Sequence, residues 1–228
     1  VGQAIGHGLF GQMPEELQVT LSDELTRLLT DVLGQWNGAP LRLSYITDAG
    51  FHPTEYFQNV LCRMLDPQRP GKYLEWEWVV DYYHACQYIS NLAQVIFGPG
   101  REAFAWAAEM RRTIKEKPGG VFRVLRSAGQ LRAIRGLVGE ESDYDSAYNY
   151  LRGHSPWMNY AERRRLRVPI GSGVTEAACK IVFSQRFKCA GMKWGVKTGA
   201  SILAMRVIAL SGIWSETRDA MFESHNNT

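Results

Sequence analysis

The 228-residue sequence has four cysteines, Cys62, Cys86, Cys179 and Cys189, and no Cys-x-x-Cys pair among them. That spacing offers no zinc module, and the scattered thiols read as reduced, as inside a cell. Apolar runs are short and broken by charge, so neither a signal peptide nor a membrane-spanning segment is expected. Internal repeats and low-complexity segments are absent as well. The chain has no Gly-x-Ser-x-Gly elbow, no Walker loop, no His-Glu-x-x-His and no Gly-x-Gly-x-x-Gly after a strand. Those absences remove the best-marked serine hydrolases, P-loop NTPases, zinc proteases and dinucleotide enzymes.

What is present is a globular composition: 45% hydrophobic residues with seven Trp and ten Tyr, enough for one large domain or two small ones. The formal charge of +3 hides a split. Residues 1–110 carry 6 Lys and Arg against 13 Asp and Glu, whereas residues 111–228 carry 20 against 10. A polyanionic partner for the second half accounts for this, as do helices with solvated basic faces.

The hydrophobic spacing predicts an amphipathic helix over 20–33, with Gly34 as its stop, after a loop-like stretch over 1–14. Leu41 to Thr47 alternates as a strand and runs into Asp48-Ala49-Gly50. A helix is expected over 54–65, and Tyr73 to Val80 reads as a strand entering a buried sheet. Asp81 follows as the N-cap of a helix reaching Phe97, with His84 one turn in. Residues 101–168 read as helices: 103–115, with Phe104, Ala107, Ala108 and Met110 to Ile114 on its apolar face, then 122–137 and 144–151. A basic run, Arg163-Arg164-Arg165-Leu166-Arg167, closes the segment. Gly171-Ser172-Gly173 then opens a basic helix carrying one acid in its first turns, Glu176, and a last helix is expected over 198–210.

Two acids thus stand at strand ends, Asp48 and Asp81, and a third opens a late helix. At such strand ends α/β sheets place catalytic groups, although Asp48 also reads as a turn residue bonding its own backbone. Asp81 and His84 read equally as a helix cap and a partly buried histidine. As a set, the carboxylates suit two-metal phosphoryl transfer, because Mg²⁺ prefers hard oxygen ligands.

The run Pro169-Ile-Gly-Ser-Gly-Val-Thr-Glu-Ala-Ala-Cys-Lys180, with Gln185-Arg-Phe-Lys188 and Gly191-Met-Lys-Trp194, resembles the C-terminal motif of bacterial insertion-sequence transposases of the Kra type. Tyr45-Ile-Thr-Asp-Ala-Gly50, Trp78-Val-Val-Asp-Tyr-Tyr-His-Ala-Cys86, Ile202-Leu-Ala-Met-Arg206 and Ser211-Gly-Ile-Trp214 resemble further motifs of the same family. These are DDE transposases, RNase H-like and related to the Mutator group. The resemblance implies an α/β, helix-rich fold: a partial RNase H-like core with a large all-helical insertion between the fifth strand and the catalytic-Glu helix. The domain boundaries it suggests are 1–40, 41–85 for strands and helix, 86–168 for the insertion, 169–223 for the Glu-bearing helices, and a frayed tail at 224–228.

By that resemblance Glu176 is the closing Glu of the triad and Asp48 the second Asp, both metal ligands. Asp81 and His84 match the Asp-x-x-His signature after the fifth strand. Two Mg²⁺ or Mn²⁺ ions, double-stranded DNA at transposon ends and target, and a homo-oligomer in the complete enzyme are implied. So is a bacterial cytoplasmic, nucleoid-associated location. The first Asp is expected upstream of Val1, since Asp48 is followed by a helix rather than a meander, and Asp23 and Asp31 fall on a helix. The less favoured alternative takes Asp48, Asp81 and Glu176 as the whole triad. The chain therefore reads as an N-terminally truncated transposase fragment, inactive alone. With the upstream segment restored, Mg²⁺-dependent cleavage that Glu176→Ala abolishes is expected. The alternatives are a non-catalytic DNA-binding remnant and a plain structural domain. From charge, DNA contacts fall to Arg163, Arg164, Arg165, Lys180, Arg186, Lys188 and Lys193, each equally a solvated residue. Trp194 stacks on a base or anchors packing.

Overall fold

A computed structural model of the chain describes residues 18–136, 142–188, 193, 195, 196–212, 214–215 and 217–219. Its described residues are helix-rich, with one small parallel sheet. The chain divides into two compact units, Leu33–Ser172 and Val1–Val32 with Gly173–Thr228.

In the Leu33–Ser172 unit, β1 (Leu43–Thr47) pairs in parallel with β2 (Trp76–Val80), in register from Leu43↔Trp76 to Thr47↔Val80. Parallel neighbours need a crossover, which here is α2 (Phe51–Asn59) and a 3₁₀ turn, Leu61–Arg63. The β2 strand sinks from half-buried Trp76 to Trp78, Val79 and Val80, all buried, as its apolar end leads one to expect. The Val80 carbonyl accepts a hydrogen bond from the buried Tyr160 hydroxyl at 2.9 Å.

Four helices build the core beyond the sheet: α3 (Tyr82–Phe97), α4 (Arg101–Glu116), α5 (Gly120–Ile134) and α6 (Ser142–Gly153). On α3 the buried residues Tyr82, Ala85, Cys86, Ile89, Leu92, Ala93 and Ile96 recur at three- and four-residue steps, a stripe wide enough to meet several neighbours. Val121, Val124, Leu125 and Ala128 of α5 and Tyr144, Ala147 and Leu151 of α6 join the same cluster as Val79 and Val80 of β2. Between α4 and α5, Gly120 is required by crowding: a Cβ there would lie 2.5 Å from the Thr113 carbonyl oxygen and 2.6 Å from Ile114 Cα. A short helix, α7 (Tyr160–Arg165), follows.

Several expectations shift. The first helix, α1, runs Gln18–Gln35, through Gly34 rather than stopping there. The expected start of α2 at Thr54 moves to Phe51, because Gly50 is an extended N-cap and its carbonyl takes both the Thr54 N–H (3.1 Å) and the Thr54 hydroxyl (2.7 Å). Pro53 then falls in the first turn, where no backbone donor is needed. On α4 the buried face is Ala103, Trp106, Ala107, Met110 and Ile114, whereas Phe104 is 72% exposed and Ala108 is exposed too. The buried face lies one position from the expected one, because Phe104 outweighs Ala103 in hydrophobicity but not in azimuth.

The other unit holds α8 (Gly173–Cys179), a π-helical turn over Lys180–Ser184, α9 (Gln185–Phe187) and α10 (Val196–Leu210). Val182 and Leu203 are buried together, flanked by Phe183, Phe187 and Val207. The π turn frees carbonyls from the regular ladder, and Arg206 of α10 donates to two of them, Val182 (2.9 Å) and Ile181 (2.5 Å). The described helices include none long and apolar enough to cross a membrane.

Candidate active site

Asp48 and Asp81 each stand one residue beyond the last ladder pair, Thr47↔Val80, at the carboxyl ends of neighbouring parallel strands. Such strands run about 4.8 Å apart, and the Asp81 N–H still donates to the Thr47 carbonyl at 2.7 Å. The sheet therefore brings two of the predicted acids side by side, although their surroundings differ sharply.

Asp81 is 3% exposed. One carboxylate oxygen accepts the N–H groups of Tyr83 (2.6 Å) and His84 (3.1 Å), capping α3. The other accepts both the backbone N–H and the hydroxyl of Ser172. Burial alone would raise its pKa, but the hydrogen bonds from Ser172, His84 and Tyr83 outweigh burial and hold it below the ordinary value. All its acceptor positions are thus in use, and none is left for a metal ion.

Asp48 is exposed. Its Oδ1 accepts the Gly50 N–H at 2.9 Å, and among the described residues Oδ2 accepts nothing. The turn holds Ala49 at a φ of 59°, left-handed backbone that costs a residue with a Cβ. The Asp48 carbonyl accepts from the Tyr150 hydroxyl of α6 at 2.7 Å. Burial first, then Tyr88, Asp48 and Asp81, push Tyr150 above its ordinary pKa, so it stays a neutral donor. Tyr45 of β1 is pushed up to about 12 by burial, Tyr56 and the Asp48 charge.

His84 is half-buried and meets Tyr88 and Tyr150 edge-on, at centroid distances of 5.3 and 5.6 Å. Tyr150 stacks on Tyr88 at 3.7 Å and tilts against His154 at 4.4 Å. From His154 the ring contacts continue through Trp157, Trp78 and Phe57 to Tyr45. One aromatic seam therefore ties the strand ends to α6. Sequence reasoning missed Tyr150 and Ser172 as supports of the two acids; the Tyr-rich α6 and the Ser between two glycines were the only traces.

Glu176 lies in the backbone of α8, and its side chain, like Trp194, Gly191 and Met192, lies outside what the structure describes. Among the described residues no three His, Cys, Asp or Glu side chains are grouped to hold a metal. By its exposed, half-used carboxylate Asp48 fits a hard cation; Asp81 does not.

The basic candidates separate. Arg163 is 5% exposed and donates to the Pro169 carbonyl (2.9 Å), Glu77 (2.5 Å) and Ser44 (2.8 Å), which leaves no face for a phosphate. Arg165 forks onto Glu162 at 3.0 and 2.6 Å, and Arg164 lies 3.9 Å from Glu116. Lys180, Arg186, Lys188 and Lys193 are exposed. Comparisons with protein families, with curated proteins and with solved structures found no match.

Proposed function

We propose that the chain is catalytic-core sequence of a DDE transposase, working on DNA by metal-dependent phosphoryl transfer. Its sheet is read as part of an RNase H-like core, and the helices over 86–168, most of α3 together with α4–α7, as the helical insertion. The observation that carries this is Asp48: an exposed carboxylate with one oxygen unengaged, at the carboxyl end of a parallel strand beside a second strand-end acid. Asp48 is assigned as a group that would hold Mg²⁺ or Mn²⁺, the role the resemblance gives to Glu176 as well. Bound there, the ions would supply Lewis acidity and charge for the attacking and leaving oxygens of a phosphodiester. The chain's own work is positional. Gly50 N–H fixes one Asp48 oxygen and leaves the other unengaged among the described residues, while Tyr150 holds the Asp48 backbone from α6. Lys180, Lys188 and Lys193 offer exposed charge to the DNA backbone, and Arg186 adds a fourth cation. A homo-oligomer acting at transposon ends, at the bacterial nucleoid, belongs to the same reading.

Mn²⁺ titration followed by electron paramagnetic resonance tests it. Asp48→Asn and Glu176→Gln should each weaken binding about tenfold or more, the loss of one charged ligand. Unchanged binding in both variants would overturn the assignment. A second reading, a non-catalytic DNA-binding protein, is favoured by the exposed lysines alone. It keeps DNA affinity with a steep salt dependence but shows no loss of Mn²⁺ binding in these variants.

A further inference from the structure

We infer that the cleft between α3 and α4 binds a small carboxylate, with Arg111 as the group that takes its charge. The cleft lies within the Leu33–Ser172 unit, and its ligand is independent of any metal at Asp48. Its volume is about 260 Å³, and Arg111 lines it together with Ser90 and Gln94. Arg111 is half-buried, and among the described residues no Asp or Glu pairs with it. Its side chain donates from Nη2 to Ser90 Oγ, whose own proton goes to the Cys86 carbonyl at 2.7 Å. The Tyr82 hydroxyl donates to the Arg111 carbonyl at 3.2 Å, so backbone and guanidinium are both held. A hydroxyl fixes the direction of the guanidinium but, being neutral, does not offset its charge, and a cation drawn into a protein is ordinarily paired.

Among the described residues Nε is buried without an acceptor, whereas Nη1 is neither buried nor bonded. Nη1 and the second hydrogen of Nη2 are therefore the edge left for a ligand, and such an edge matches the two oxygens of a carboxylate. The rest of the cleft suits a short apolar chain behind that carboxylate. Ala93, Ala103 and Ala107 line it and are buried, and Phe104, although 72% exposed, lines it too. An exposed Phe that packs on nothing has a use here, as a wall for the ligand's carbons. The exposed Gln94 amide adds a neutral donor. Drug-sized ligands take roughly 300–1,000 Å³, so this cleft holds a chain of a few carbons. One cation matches a monoanion; a phosphate dianion calls for a second cation or a set of backbone N–H groups.

Proton–nitrogen NMR of the full chain, titrated at constant ionic strength with butyrate, acetate, butanamide and inorganic phosphate, tests the cleft. Butyrate should give saturable shifts at the Arg111 Nε–H and at the amides of Ser90, Gln94 and Ala107. Butanamide, of the same shape without the charge, should bind about tenfold or more weakly. Acetate, two methylenes shorter, should bind about tenfold more weakly than butyrate, and Phe104→Ala, a change at an exposed side chain, should shrink that difference. Arg111→Gln should weaken butyrate by about tenfold or more; if that variant fails to fold, butyrate against butanamide on the wild type decides the matter. No saturable shift with butyrate, equal binding of butyrate and butanamide, or tighter binding of phosphate than of butyrate would each overturn the carboxylate site. An undiminished acetate–butyrate difference in Phe104→Ala would overturn the apolar wall.

Discussion

Ala49 carries a left-handed φ of 59° between Asp48 and Gly50, and nothing but a glycine adopts that conformation at no steric cost. The relief of left-handed strain exceeds the added freedom of the unfolded chain, so Ala49→Gly should stabilise the protein by up to about 1 kcal/mol, read from its denaturant midpoint. Glu77 poses the opposite case. It accepts from Arg42 and from the buried Arg163, and the Arg42 hydrogen bond, against a burial penalty and with help from Arg163, holds its pKa below the ordinary value. Glu77→Gln leaves the Arg163 guanidinium without its counter-charge and should cost about 2 kcal/mol, below the figure for a fully buried pair because Glu77 is 39% exposed. Because the folded pKa values of Glu77 and Asp81 are both depressed, their stabilisation is present above the unfolded value of about 4 and is lost as pH falls below it. Urea midpoints at pH 7 and pH 3 should thus differ less in Glu77→Gln than in the wild type. The Asp81 cap was legible in sequence, since a strand–Asp–helix join has few other uses. Arg163 was not: within a run of arginines, the one that turns inward is chosen by Glu77 and Ser44, over eighty residues away in the chain.

Among the elements, α3 is the one on which the others lean, and its Ile89 is fully buried at the centre of the helical core. Ile89→Ala should destabilise by about 3 kcal/mol, while Tyr83→Ala on the same helix, at a side chain 56% exposed, should cost far less. The helices α3 to α6 and the β2 strand were readable because each shows its period over several turns or alternations and is bounded by Pro, Gly or Asp. The ends of α1 and α2 were not. Helix propensity in Leu-rich α1 carries it past Gly34, and α2 begins at a Gly50 whose carbonyl serves Thr54 twice. The π turn at Lys180–Ser184 was also invisible, because a one-residue shift in hydrogen bonding leaves composition and apolar spacing almost unchanged. Its carbonyls find Arg206, a partner twenty-four residues from Val182.

On the scale of the whole molecule, the strands and the helices over 86–168 share one hydrophobic core, so these helices are no loose attachment to the sheet. The charge split seen in sequence places exposed Lys180, Lys188 and Lys193 in the unit that also carries Glu176, and Asp48 in the Leu33–Ser172 unit. If the lysines contact phosphate, the logarithm of DNA affinity should fall steeply and linearly with the logarithm of salt concentration, and replacing all three should flatten that slope by about 3. Helix richness and the strand-end acids could be read from sequence because each depends on local pattern. Which acid keeps a free oxygen could not, since that depends on Ser172 and Gly50 meeting their partners after folding.

The most direct measurement is the Mn²⁺ titration of wild type against Asp48→Asn by electron paramagnetic resonance. Binding by the wild type that falls about tenfold or more in Asp48→Asn is the expected result. Equal binding by the two proteins would contradict a metal-dependent role for this strand end.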